Sequence, residues 1–211
     1  MKDIPFFNTE NGVASLRLKE IPYFQTAYIT VQSALDEEKL LLDCFGLCRA
    51  AGAERIYANG LNAPDTKTGV DIIRLTRNTL DYEAPGAMLF PVQEETLPQW
   101  REIYNKKMRN VTGAAYMNEE MAREMLADRS GYFVHSNGEL LGIGRVCNDT
   151  ISVVAAVKKG AGQVVVNTLL SAVSSDLVVI EVASDNTKAI SLYSSLGFMA
   201  TGIVNTWNKI I

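Results

Sequence analysis

The sequence predicts an α/β fold in which a mixed, mostly antiparallel sheet is flanked by helices, preceded by a smaller α/β portion. Three observations carry this. Residues 132–157 hold three successive apolar or alternating runs separated by turn residues, residues 160–170 pass from a glycine turn into helical spacing, and residues 177–182 are almost continuously apolar before another helical period begins. Short apolar runs bounded by turns read as strands, and recurrence every three or four residues reads as a helix.

In chain order, 14–18 alternates as a half-buried strand and 28–31 is a second strand. A helix follows, with Ser33 as its cap and Asp36 three residues on. Its apolar positions Leu40, Leu41, Cys44, Leu47, Cys48 and Ala51 recur at helical spacing until Gly52 ends the pattern. Residues 55–58 form a short strand. The six prolines stand at 5, 22, 64, 85, 91 and 98, and the last three gather around Gly86. That interruption of regular structure places a boundary near 84–92, with an α/β extension at 1–84 and the main domain at 88–211. Beyond it, 96–109 and 118–127 are helical, and Asn118 caps the second ahead of Glu119 and Glu120. Strands at 132–135 and 140–146 flank Asn137-Gly138, a pair suited to a tight hairpin, and 150–157 continues the meander. Residues 160–162 open a helix through Leu170, 177–182 is a buried strand, 187–196 a helix and 198–206 a closing strand. No tandem repeat of fixed short period is present.

Composition narrows the function. The chain has 211 residues with a formal net charge of −4, which gives no general attraction for phosphate backbones or anionic lipid. Nucleic acid and membrane surfaces are therefore disfavoured partners. Three cysteines cannot all pair within the chain, and the setting expected is the reducing cytoplasm. No apolar run reaches the ~18 residues that cross a bilayer. Cys44 and Cys48 lie one helical turn apart, but one histidine, His135, and the distant Cys147 do not complete a zinc set, so no metal is expected.

Two segments carry chemistry. In Thr150-Ile151-Ser152-Val153-Val154-Ala155-Ala156-Val157-Lys158-Lys159-Gly160-Ala161-Gly162-Gln163 a strand runs into a glycine turn and then a helix start. Unpaired amides at the positive end of a helix dipole suit a pyrophosphate. The spacing is neither that of a dinucleotide fold nor that of a P-loop. In Ile180-Glu181-Val182-Ala183-Ser184-Asp185-Asn186-Thr187-Lys188-Ala189-Ile190-Ser191-Leu192-Tyr193-Ser194-Ser195-Leu196-Gly197-Phe198, offsets of three, four and seven set Asn186, Ala189, Ile190 and Tyr193 along one helical face, and Gly197 stands where a helix would end.

This second string resembles the C-terminal motif of the GCN5-related N-acetyltransferases (GNAT family), and the element order over 88–211 is similar to that of the family's fold. The resemblance implies acetyl-CoA, as cosubstrate, in an opening between the strands at 150–157 and 177–183. It implies that backbone amides around Lys159, Gly160, Ala161, Gly162 and Gln163 cradle the pyrophosphate. Ala155, Ala156 and Val157 would pair with the pantetheine arm and hold the thioester carbonyl, where an oxyanion develops. Two departures from the family pattern are Val157, where an Arg or Gln is usual, and the lack of a proline after that strand. Lys158 and Lys159 would supply the positive charge instead.

The resemblance also assigns roles. Tyr193 matches the acid that protonates the departing thiolate, and a phenol is still protonated at neutral pH. Glu181, five residues before Asn186, resembles the glutamate base of the ribosomal-protein amino-terminal acetyltransferases; in an apolar strand its carboxyl would be a stronger base, and the alternative is a structural ion-pair partner, with Asp149 or Glu139 acting through water instead. Asn186 and Ala189 would contact the cofactor arm. The activity implied is acetyl transfer from acetyl-CoA to a primary amine on a small molecule or a protein, in a chain able to form a homodimer. The alternative is a non-catalytic acyl-CoA-binding or regulatory module. The order strand, strand, helix, strand across 14–58 loosely echoes half of such a unit, so 1–84 is either a degenerate half-repeat or a plain extension shaping the substrate side.

Overall fold

The computed structural model describes residues 1–62, 69–79 and 86–210, and the chain divides into two compact units. Unit 1 comprises Met1–Ile72, Thr112–Tyr116 and Ile203–Ile211; unit 2 comprises Ile73–Val111 and Met117–Gly202.

Unit 1 begins with β1 (Ile4–Thr9), β2 (Gly12–Arg17), α1 (Ile21–Phe24), β3 (Thr26–Ala34), α2 (Glu37–Ala50) and β4 (Arg55–Asn59). Strands β1 and β2, and β2 and β3, pair antiparallel; α2 then crosses over so that β4 lies parallel to β3. The alternation in β2 turns Ala14 and Leu16 into a core with Ile29, Leu40, Cys44, Cys48 and Ile56. The cap of α2 differs from the expectation. Asp36 is in extended conformation and accepts the Lys39 N–H at 3.2 Å, whereas Ser33 still lies in β3, paired with Val13. The strand outruns its apolar stretch, and the helix starts three residues later. Strand β1 carries no clear alternating signal because it includes an exposed Phe6 and Pro5, a residue a strand accepts here at the sheet edge.

Strand β5 (Gly69–Asn78) enters unit 2 at Ile73. The remaining elements are β6 (Met88–Pro91), α3 (Leu97–Met108), α4 (Glu119–Ala127), β7 (Gly131–Ser136), β8 (Glu139–Cys147), β9 (Thr150–Ala156), α5 (Gly162–Leu170), β10 (Leu177–Ala183), α6 (Thr187–Ser195) and β11 (Met199–Lys209). Within unit 2 the strand order is β5-β10-β9-β8-β7-β6. Strands β6 to β9 form an antiparallel meander, and β10 returns parallel to β9. Asn118 caps α4 as expected, accepting the Met121 N–H at 2.9 Å. Asn137 and Gly138 both take positive φ at the β7–β8 hairpin.

One sheet face packs on α3 and α4 through Phe133, Ile143 and Val153 against Trp100, Tyr104 and Met125. The opposite face carries Val134, Ile180 and Val182 against Val165, Leu169 and Tyr193 of α5 and α6. Helix α5 sits close to the sheet because β8 presents glycines there. A Cβ on Gly144 would lie 2.3 Å from Leu169 Cδ1, and one on Gly142 would lie 2.7 Å from Val165 Cγ2. This close approach fixes where the N-terminus of α5 points.

Of the stretch expected as a boundary, residues 84 and 85 lie outside the described residues, and 88–91 is β6, an edge strand ending in Pro91. Residues 73–78 precede that stretch and lie in unit 2, with Leu75 in its core; the 203–209 half of β11 lies in unit 1.

Candidate active site

Strands β9 and β10 pair at Val179 opposite Thr150, where the Val179 N–H donates to the Asp149 carbonyl at 2.8 Å. No further pair is formed between them among the described residues, so they part toward their C-terminal ends. On its other side β9 stays bound to β8 up to Ala156, opposite Gly142. The N–H groups of Val157 and Lys158 both donate to the Leu141 carbonyl, at 2.8 and 3.1 Å. Backbone direction alternates along a strand, so Ala155 faces β8 as Val157 does, and Ala156 turns its N–H and C=O into the split. Of the three residues expected to meet the pantetheine arm, Ala156 has backbone groups to offer it, while the Val157 amide is already spent.

The turn that follows is built to leave donors bare. Gly160 has φ +83°, a conformation that disfavours any side chain, and Ala161 donates its N–H to the Lys158 carbonyl at 3.2 Å. Ala161 then occupies the cap position of α5 without a side-chain cap. Among the described residues no acceptor takes the N–H groups of Lys159, Gly160, Gly162, Gln163 or Val164. Four orphan donors are the rule at a helix start, and here no Ser, Thr, Asp or Asn satisfies one. Lys158 is paired with the Glu139 carboxylate, and Lys159 makes no ion pair among the described residues. Gly162 has a packing reason of its own: a Cβ there would lie 2.9 Å from Leu192 Cδ2, so it lets α5 approach α6.

Helix α6 orients the tyrosine. Asn186 caps it, its Oδ1 accepting the Ala189 N–H at 3.3 Å; no acceptor among the described residues takes its Nδ2. At the other end the Phe198 N–H donates to the Tyr193 carbonyl and the Gly197 N–H to the Ser194 carbonyl, each at 3.0 Å, with Gly197 at φ +82°. This is the Schellman arrangement, and its accompanying apolar contact is the Tyr193–Phe198 ring pair at 5.8 Å. The Leu-Gly-Phe string thus folds back and braces the Tyr193 ring. We expect Gly197→Ala to cost about 1–2 kcal/mol, since the left-handed backbone penalises a Cβ while its nearest neighbour, Arg77 Nε, is 4.0 Å away; equal denaturant midpoints would contradict this.

Tyr193 is buried, and burial pushes its phenol up to about 12. Its hydroxyl makes no hydrogen bond among the described residues, yet it is not one of the solvent-excluded polar atoms left without a partner, so it retains an opening. A buried phenol with an accessible hydroxyl holds its proton and can give it away.

Glu181 stands in different surroundings from those expected. It lies between Ile180 and Val182 but on the other face of β10, exposed, with Arg74 Nη2 and Nε at 2.8 and 3.3 Å from its Oε1. The apolar environment expected around it is absent, because alternation sends its neighbours rather than Glu181 into the core. Tyr193, on α6, packs over the face of β10 that carries Ile180 and Val182, so the two expected catalytic side chains lie on opposite sides of that strand. The two alternative carboxylates are also engaged, Glu139 by Lys158 and Asp149 by the Thr150 hydroxyl. Sequence reasoning missed Arg74, which lies on β5, before the expected boundary.

Unit 1 repeats the same element order and strand directions, β1-β2-β3-α2-β4 matching β7-β8-β9-α5-β10. Among its described residues it forms no comparable site. Strands β3 and β4 stay paired from Thr26–Arg55 through Thr30–Asn59, and α2 starts on Asp36, Glu37 and Glu38, which occupy its dipole end with negative charge. Burial pushes the Cys44 and Cys48 thiols up to about 11 and about 12, which leaves them inert. Among the described residues no group of three or more His, Cys, Asp and Glu could hold a metal ion.

No family model and no curated protein matches the sequence. Solved structures do match in fold. A functionally unknown conserved protein from Staphylococcus epidermidis is 10% identical, with a TM-score of 0.60 over 96% of this chain and 91% of that one. A GCN5-related N-acetyltransferase from Anabaena variabilis is 10% identical at TM-score 0.55, covering 93% of this chain and 59% of its own. One from Sphaerobacter thermophilus is 12% identical at TM-score 0.52, with 93% and 75% covered. The chain therefore has the GNAT fold, a mixed and mostly antiparallel sheet flanked by helices.

Proposed function

We propose that unit 2 is an acyl-CoA-dependent N-acyltransferase, with acetyl-CoA as donor and a primary amine of a small molecule or protein as acceptor. The observation that carries this is the parting of β9 from β10 beside an uncapped helix start, with the Tyr193 helix following β10. A thioester bound there supplies an activated acyl group and a thiolate leaving group. The bare amides of Gly160, Gly162 and Gln163 hold the pyrophosphate, and the Ala156 backbone orients the arm and its carbonyl. Glu181 takes one proton from the ammonium, and the freed nitrogen lone pair forms the C–N bond. As the C–S bond breaks the thiolate takes the Tyr193 proton, and the second proton lost by nitrogen restores Tyr193. Unit 1 is on this reading a degenerate half-repeat that binds no CoA. No helix among the described residues is long and apolar enough to cross a membrane; three free cysteines support a cytoplasmic setting.

Thiol release from acetyl-CoA across an amine panel, with acetylated products identified by mass spectrometry, tests this. Product with at least one amine supports it; no product together with no CoA binding overturns it. For Glu181→Gln we expect the rate defect to be largest near neutral pH and partly relieved at high pH, where free amine needs no base. A defect independent of pH removes Glu181 from that role.

A further inference from the structure

The Arg74–Glu181 pair faces away from the α5/α6 core, and its side chains are 49% and 39% exposed. Only one carboxylate oxygen is engaged: Arg74 Nη2 and Nε both reach Glu181 Oε1, while Glu181 Oε2 and Arg74 Nη1 have no partner among the described residues. A pair this exposed adds little to folding. Its position is more telling. Glu181 lies two residues beyond Val179, past the point where β10 leaves β9, and Arg74 comes from β5, the neighbour of β10 on its other side. An anion on the strand that borders the split and a cation on the next strand over therefore stand together, each with an open valence.

We propose that this pair receives the ammonium and the carboxylate of one acceptor molecule, so that the acceptor is a free α-amino acid; the inference rests on the acyltransferase reading of unit 2. An α-amino acid carries both charges on one carbon and can lie antiparallel on an existing ion pair, its ammonium against Glu181 Oε2 and its carboxylate against Arg74 Nη1. The pair need not break for this. The planar guanidinium is suited to a carboxylate, and the ammonium then rests on the group that takes its proton. Amines without a carboxylate, including peptide N-termini, meet only half of the site and leave Arg74 Nη1 without a partner.

The test compares each of the twenty proteinogenic amino acids with its own amide, using the full chain and acetyl-CoA. At least one amino acid should exceed its amide in kcat/KM by about tenfold, the usual scale for a hydrogen bond to a charged group. In Arg74→Gln that ratio should fall to near one, and Arg74→Lys should restore part of it. Amides acetylated as well as acids, or a ratio unmoved by Arg74→Gln, overturn the proposal. Ligand-observed NMR of the same amino acids and amides without acetyl-CoA separates this from the wider reading. Amino-acid binding that is lost in Arg74→Gln upholds the site even if no amine is turned over, whereas acetylation of other amines with no amino acid bound or acetylated upholds the acyltransferase and rejects this acceptor.

Discussion

Tyr193→Phe is expected to lower kcat by roughly 10²–10³ with little change in CoA affinity, the scale of a lost general acid. The substitution keeps the ring, so its packing on Phe198 and the core survives and only the proton donor goes. Burial holds the phenol at about 12, above the ~10 of a free tyrosine. Because the raised value protects the protonated form, the wild-type enzyme should show no loss of kcat through tyrosine ionisation between pH 8 and about pH 10. A wild-type kcat in the phenylalanine variant would remove the assignment. An alkaline decline that disappears in that variant would show that the phenol titrates lower than its surroundings dictate.

CoA is expected to protect the fold, adding about 2.7 kcal/mol at a hundredfold excess over Kd, because a ligand bound only by the native state stabilises by RT ln(1 + [L]/Kd). Gln163→Glu should remove most of that protection. Gln163 is exposed at the first turn of α5 with a bare N–H, so a carboxylate there favours the helix while repelling a pyrophosphate. A stable variant that no longer responds to CoA separates loss of the site from loss of the fold. Gly162 is a poorer choice, since any side chain at that position drives into Leu192. Thermal shifts of wild type and variant at matched CoA concentrations decide the matter; equal shifts place the pyrophosphate elsewhere.

Much of unit 2 was legible because each element obeys a local rule. The hairpin sits on Asn137-Gly138, α4 on its Asn118 cap, and α6 ends on Gly197 with Phe198 folded back on Tyr193. What stayed hidden depends on partners distant in sequence. Strand β5 is neighbour to β10 about a hundred residues later in the chain, and nothing in its alternation announces that, so Arg74 could not be set beside Glu181. The start of α2 was misplaced for a related reason. Pairing with β2 carries β3 past its apolar run, and Asp36 rather than Ser33 then meets the free amides. At the candidate site the glycine turn and Tyr193 could be read from the chain. The spent amide of Val157 could not, because it follows from Leu141 on the adjacent strand.

The central claim is that CoA occupies the split in unit 2 and leaves the similarly ordered unit 1 untouched. Hydrogen exchange followed peptide by peptide, with and without saturating CoA, addresses it most directly. The account predicts slowed exchange at the amides of Ala156 and of Gly160, Gly162, Gln163 and Val164, with none at the start of α2 around Glu37 and Glu38. Protection confined to α2, or CoA binding that leaves 156–164 exchanging as before, would contradict it.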